Sequence, residues 1–522
     1  MGEIVYQVHY FALFGVLRVG EIVYKRHDFA HPLTPERLAM HVFSREFEQG
    51  KIRQLMASER PELAAVYGRR RVGKTFTVSQ TLKENPAAIY FEFTGSLLED
   101  GRPLSLRDFL TDFSVAWYAC RNTRKKVRSV ADCLLALVDL ASLSGKHKPL
   151  YLFLDELPWI ARSAPEFFRG LVTLWNNTLA RNPYVKLFVA GSATSWMIDE
   201  VIQAKTGLAK RVTAKIHMRA LDLAQTGKFL SAKGMDLSHN DVFRVYSVLG
   251  GIPYYLDALD TNVSPNENLY NLLVRKDGLL HAATEYEQVF LYLFARDASY
   301  KKVIDVLVDK KYGLSLAELA NAIEGKDKPS GNLRRTLQNL AYSDLIERKA
   351  TFLNRSKGVR YFVMDEYMRF VSRWLADSEV TTYGAFNRIF SSQSYAAWQG
   401  FDFELIAFKN FHLVAAALGI SGISVEPFIY YQDDGVQIDL LLERGDRTLT
   451  ICEAKSCDGE YEPVEKDVAR FRARKKTLQQ LLKIKRKPEQ FINYCFITRN
   501  GVKRNRYFNE INPLVVDLSR IL

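Results

Sequence analysis

The stretch Gly68-Arg-Arg-Arg-Val-Gly-Lys-Thr75 has the spacing G-x-x-x-x-G-K-[ST]. Glycines at that spacing let the main chain close around a phosphate, while one lysine and one hydroxyl serve its oxygens and its metal. The flanks suit the motif: Leu63–Tyr67 is a short apolar run of strand type, and Phe76–Lys83 opens a helix. A loop between strand and helix points backbone N–H groups and the positive helix end at an anion. Gly68, Arg69, Arg70, Arg71, Val72, Gly73, Lys74, Thr75 and Phe76 are therefore expected to wrap a nucleotide. Lys74 would reach the β- and γ-phosphates, and Thr75 would hold Mg²⁺. Leu150-Tyr-Leu-Phe-Leu-Asp-Glu156 is an apolar strand ending in two acids, as a buried parallel strand that delivers a carboxylate to a metal would be. Asp155 is expected to hold Mg²⁺ through water, and Glu156 to orient or deprotonate the attacking water. Val185–Ala190 is a further strand, and Ser192 at its tip is placed to sense the terminal phosphate. Arg211 is the candidate for stabilising transition-state charge, in this chain or in a neighbour.

A second cluster lies far downstream. Gly400–Phe408 has helical spacing with Glu404 on its inner side. Val436–Leu442 is a strand carrying Asp439, Gly445-Asp446 a turn, and Arg447–Lys455 the next strand. Side chains alternate along a strand, so Glu453 and Lys455 share a face. A hairpin would bring Asp439 beside Glu453. Two acids hold a hard divalent cation through oxygen, and a lysine nearby steadies the attacking water or the developing phosphate charge. Residues 470–487 hold nine Lys or Arg and no acid, a helix face suited either to solvent or to a phosphate backbone.

The elements that must position these residues alternate strand and helix from Leu63 to Ala190, which implies a parallel sheet covered on both faces. Residues 105–143 carry helical periodicity between the second and third of those strands. Residues 300–363 differ: three short helices are followed by a hairpin, Arg348–Val363, with Lys357-Gly358 at its expected tip. That is the winged helix-turn-helix plan, with Arg334 and Arg335 outward, toward DNA or toward a protein neighbour. The 522 residues, 48% hydrophobic and 25% charged, suit a globular chain of about two to four domains. The longest apolar runs, Tyr10–Leu17 and Leu413–Ile420, fall well short of the ~20 residues of a membrane span. Five cysteines form no C-x-x-C pair, consistent with a reducing cytoplasm. The net charge of +13 favours a polyanionic partner such as nucleic acid, or an anionic membrane surface. Residues 1–41 contain the direct repeat Gly2–Tyr6 and Gly20–Tyr24 and no basic leader. They are expected to be an N-terminal extension, either upstream of the native start or a docking hairpin.

Gly68–Thr75, Asp155-Glu-Leu-Pro-Trp159 and Gly250-Gly-Ile-Pro-Tyr-Tyr-Leu256 together resemble the archaeal-type ATPases of the AAA+ and signal-transducing NTPase group. The resemblance covers about residues 42–290 and implies ATP, with Mg²⁺, as the nucleotide. It also implies a helical lid containing the Gly-Gly-x-Pro-x-Tyr segment, and possible homo-oligomers. Asp439, Glu453 and Lys455 resemble the core of the PD-(D/E)XK nuclease superfamily, with Ile438 where the literal proline would stand. That resemblance implies Glu404 as a further metal ligand. The expected fold class is α/β. Its parts are a P-loop ATPase core (42–225), a helical lid (226–298), a winged helix-turn-helix (299–375) and a restriction-endonuclease-like domain (376–522). The expected function is ATP hydrolysis by a cytoplasmic protein acting on DNA, with an Mg²⁺-dependent nuclease gated by nucleotide state. The alternative is a nucleotide-switched DNA- or protein-binding regulator whose nuclease fold does not cut.

Overall fold

A computed structural model describes residues 44–98, 101–192, 194–203, 207–294, 297–376, 379–431 and 436–522. The expected extension 1–41 lies outside the described residues. The first sheet holds β1 (Glu62–Tyr67), β2 (Ile89–Thr94), β3 (Leu150–Asp155), β4 (Val185–Gly191) and β5 (Ala214–His217) in the order β2-β3-β4-β1-β5. Every neighbouring pair is parallel. Such a sheet needs cover on both faces, and the sequence supplies it by alternation. Ala64, Val66, Tyr151, Phe153, Phe188 and Ala190 point into one core. Leu63, Ala65, Leu152, Leu154, Leu187 and Val189 point into the other, against Phe109, Phe113, Leu137 and Phe167. The helices Leu106–Arg121 and Val130–Ser142 that cover this second face start on Ser105 and Ser129, whose side chains accept from N–H groups of the first turn.

Helices Leu223–Ala232, His239–Leu249, Pro253–Asp257, Pro265–Leu273 and Ala282–Phe294 follow. Next come Ala298–Leu307, Leu316–Glu324 and Gly331–Tyr342, with short β6 (Leu314–Ser315) and the hairpin β7 (Ile346–Thr351) and β8 (Asn354–Val363). The hairpin turns at Phe352-Leu353, not at Lys357-Gly358. Ala350 pairs with Val359 and Thr351 with Asn354, and Leu353 takes a positive φ of 56° in the turn.

The hairpin is also part of something larger. β9 (Val425–Tyr431), β10 (Gln437–Arg444), β11 (Thr448–Lys455), β12 (Phe491–Thr498) and β13 (Leu514–Asp517) form a mixed sheet that β7 extends through the pair Thr351–Ile429, giving the order β13-β12-β11-β10-β9-β7-β8-β6. Helix Gln393–Lys409 packs on one face through Phe403, Leu405 and Ile406. Helix Glu465–Ile484 covers the other through Phe471, Leu478 and Leu482. Among the described residues no helix is long and apolar enough to cross a membrane.

Candidate functional site

Strand order places the first constellation. β4 lies between β1 and β3, so the residue after β4 stands between the loop after β1 and the acids that end β3. Gly68 (φ 148°) and Gly73 (φ 89°) hold the loop's two turns. A Cβ on Gly68 would lie 2.0 Å from the carbonyl oxygen of Met218, so no other residue fits there. The helix Lys74–Leu82 starts on Gly73 without a side-chain cap, leaving its first N–H groups directed at the loop's mouth.

Lys74 is buried and donates to the carbonyls of Gly68 and Arg69, each at 3.0 Å, and to Ser192 Oγ at 2.8 Å. Burial holds its ammonium below the usual lysine range. Ser192 donates its hydroxyl to Glu156 Oε1 at 2.5 Å and its N–H to Oε2 at 3.0 Å. Glu156 sits at φ 47°, ψ 48°, a left-handed conformation of the kind found where position matters more than comfort. Thr75 donates to Asp155 Oδ2 at 2.5 Å. Desolvation, and then the Glu156 charge, push the Asp155 carboxyl up to about 7. A buried acid in that state beside a hydroxyl is the donor set a hard cation satisfies, so Thr75 and Asp155 fit Mg²⁺.

Not every expected residue points at the phosphates. Arg69 and Arg71 turn their guanidinium groups away. Arg69 pairs with Asp365 and Arg71 with Glu285, both at 2.8 Å. Arg71 also lies 4.3 Å over the Tyr254 ring, and Tyr255 donates to Glu285 at 2.6 Å. The Pro-Tyr-Tyr segment at residues 253–255 is thus tied to the loop by the loop's arginines. Arg70 is half-buried, Val72 buried and Phe76 exposed. Arg45, which sequence patterns did not single out, donates to the Val72 carbonyl at 2.8 Å and braces the loop from behind.

Arg211 was expected to act in this chain or in a neighbour, and the structure sets it away from its own chain's loop. It is exposed and bonded to Asn176 at the far end of helix Pro165–Asn177. Thr213, two residues on, bonds Leu63 at the start of β1. The loop leaves the other end of β1, so Arg211 stands at the opposite end of the strands from its own chain's loop.

The second constellation gathers at one end of β10 and β11. Leu440 pairs with Cys452, and one further step sets Asp439 against Glu453. The register slips between Ile438 and Leu441 in the pairing with β9. Glu404, Gln437 and Asp439 line one cavity together with Lys311, Lys349 and Tyr312. Burial, then the neighbouring Asp439, push Glu404 up to about 8; burial, then Glu453, push Asp439 up as well. Gln437 donates its side-chain amide to Asp439. Glu453 is held differently. Burial opposes its charge, yet Arg474 and Lys455 pull it below the ordinary glutamate range. Lys455 donates to it at 2.7 Å and Arg474 bonds it from the covering helix. Each acid has a partner, and among the described residues no three acidic, histidine or cysteine side chains converge to hold a metal.

Of the basic stretch, Arg470, Arg472 and Arg474 are spent in ion pairs with Glu453, Asp467 and Glu510. Lys475, Lys476, Lys483, Lys485, Arg486 and Lys487 are exposed. Arg334 and Arg335 are exposed on helix Gly331–Tyr342.

Residues 42–259 match the family model of an ATPase domain predominantly from Archaea. An uncharacterised protein of Methanocaldococcus jannaschii is 24% identical over 371 residues, which is 70% of this chain and 75% of that protein. Among solved structures, the Walker-type ATPase of Pyrococcus abyssi is 16% identical with a TM-score of 0.48, over 66% of this chain and 99% of the other. The ORC2 protein of Aeropyrum pernix, in its ADPNP–ADP complexes, is 14% identical with a TM-score of 0.42, over 67% and 95% of the two chains.

Proposed function

We propose that this protein binds and hydrolyses ATP and acts on DNA through its C-terminal half. The observation that carries the first part is the unbroken line from Lys74 through Ser192 to Glu156, with Thr75 on Asp155 beside it. The match of residues 42–259 to an ATPase domain supports ATP as the nucleotide. In this mechanism water attacks the γ-phosphorus in line, the bond to the β-phosphate oxygen breaks, and ADP leaves. Lys74 gives up its loop carbonyls for phosphate oxygens. Glu156 releases Ser192, orients the water and takes its proton, and Ser192 turns to the γ-phosphate. Thr75 and Asp155 would hold Mg²⁺, which would supply charge neutralisation to the phosphates. Arg211 completes such a site only from a neighbouring copy, so an arginine contribution makes the protein a homo-oligomer. The test is ATP hydrolysis by wild type beside Lys74→Ala and Glu156→Gln; equal rates in all three would sink the assignment.

For the C-terminal half the proposal is metal-dependent cleavage of DNA in the cytoplasm, gated by nucleotide state. Asp439 and Glu404 would hold the metal, which would supply an activated water; Glu453 would join them only on giving up Lys455 and Arg474, and Lys455 would then meet the phosphate. The segment 299–375 acts as a winged helix, and 376–522 as a restriction-endonuclease-like domain. Two mutually repelling acids in a cavity, both starved of solvent, support a cation there. A second reading, a DNA- or protein-binding regulator that does not cut, is favoured by Glu453, whose oxygens are occupied by Lys455 and Arg474. Plasmid incubated with Mn²⁺ or Mg²⁺ separates the two: cutting lost in Asp439→Ala and Lys455→Ala supports the nuclease, and cutting equal in all three leaves the regulator.

A further inference from the structure

The acids of the C-terminal cavity are balanced by lysines from another part of the chain. Lys349, on β7, is 3% exposed. Its ammonium lies 3.8 Å over the Phe408 ring and 4.5 Å over the Phe362 ring, sealed into the wall. Lys311, in the loop between helix Ala298–Leu307 and β6, reaches Glu404 with Nζ 3.7 Å from Oε1. Both line the cavity that holds Glu404 and Asp439, although both belong to residues 299–375.

The two lysines differ in what holds them. Lys349 is enclosed by rings and cannot leave without opening the core. The Lys311 side chain is 48% exposed, and a 3.7 Å separation is an ion pair without a hydrogen bond. Such a contact is weak and readily exchanged. A divalent cation and the Lys311 ammonium would seek the same carboxylate, and each repels the other.

We propose that Lys311 is a displaceable counter-ion that stands in a divalent cation's electrostatic place at Glu404, so that metal enters as the loop at residues 308–313 withdraws. The proposal rests on the metal-dependent reading of this site, and adds that the three-helix segment supplies the residue that closes it.

The test uses the full chain, without nucleotide, and Mn²⁺ as the probe, followed by electron paramagnetic resonance. Asp439→Asn defines which part of the binding belongs to this site. Lys311→Gln is expected to tighten the Asp439-dependent Kd by about three- to tenfold, the scale of one partly screened charge. Lys311→Arg, which keeps the charge, is expected to bind as wild type does. Binding in Lys311→Gln alone, with none in wild type, would support the proposal most strongly. Unchanged or weaker binding in Lys311→Gln, while Asp439→Asn still removes it, overturns the counter-ion and leaves the metal site standing. No Asp439-dependent binding in either protein overturns both.

Discussion

The phosphate loop carries its cation within its own short span: Lys74 rests on the carbonyls of Gly68 and Arg69 and on Ser192 of the adjoining strand. The C-terminal acids borrow most of theirs, Lys455 beside Glu453 being the local exception. Glu404 comes from one helix and meets Lys311 from a segment far upstream; Glu453 comes from a hairpin and meets Arg474 from the helix beyond it. The first arrangement depends on two neighbouring strand ends and one turn. The second depends on three segments being docked correctly. The difference teaches that the first site is set by the ends of neighbouring strands in one sheet, and the second by the docking of separate segments.

The sharpest way to break this comparison is to cut the buried frame under Glu404. Asp402, on the same helix as Glu404, and Arg369, on helix Glu366–Trp374, form an ion pair in which both side chains are almost fully enclosed. Arg369→Ala strands Asp402 and is expected to cost about 3–5 kcal/mol in denaturant unfolding, while Arg369→Met with Asp402→Leu costs much less. Equal losses in both proteins would mean the pair does not organise this region. Next in size, Lys74→Ala is expected to lower the rate of ATP hydrolysis by about 10²–10³-fold, the usual cost of one aligned cationic or hydrogen-bonding group. Its circular dichroism should stay unchanged, because the loop's glycines, not Lys74, set its shape.

Lys349 sharpens the contrast through pH. Burial lowers it from 10.5 to about 7, so between those values the unfolded chain holds a proton that the folded chain lacks. Stability is then expected to rise with pH across that window, and to lose the penalty fully only above the unfolded value. Lys349→Met should flatten this part of the stability profile, as followed by urea unfolding from pH 7 to 10; a slope identical to wild type would remove Lys349 from the account. The smallest effect belongs to the exposed end of the basic helix. Lys475→Ala with Lys476→Ala is expected to reduce the salt slope of DNA binding by about 2. Arg474→Ala, whose charge faces Glu453, should not change the slope in step.

What could be foreseen follows the same division. Leu63–Tyr67 and Leu150–Asp155 announce themselves because a parallel strand buried on both faces must be continuously apolar, and a polar break at its end must have a purpose. The loop's spacing belongs to backbone geometry and reads directly. Arg211 left both of its expected settings open because nothing in linear order says which end of a sheet a following loop returns to. The hairpin tip was misplaced because Lys357-Gly358 carries turn chemistry, while Leu353 adopts the left-handed backbone without it. Lys311, Lys349 and the partners of Arg69 and Arg71 left no local signal: a lysine or arginine destined for burial looks like any surface residue until its acid arrives from elsewhere. Arg474 hid in the same way, inside a run of charges that otherwise faces outward.

The meeting of Thr351 with Ile429 has a consequence for dissecting the molecule. A fragment beginning beyond residue 378 would keep β9 but lose the backbone of Thr351 and Phe352 that lies along its outer margin. Bare strand margins recruit other chains. Such a piece is expected to clump more readily than the whole protein, and failure to obtain it in soluble form would reflect an amputated flank and not a missing fold.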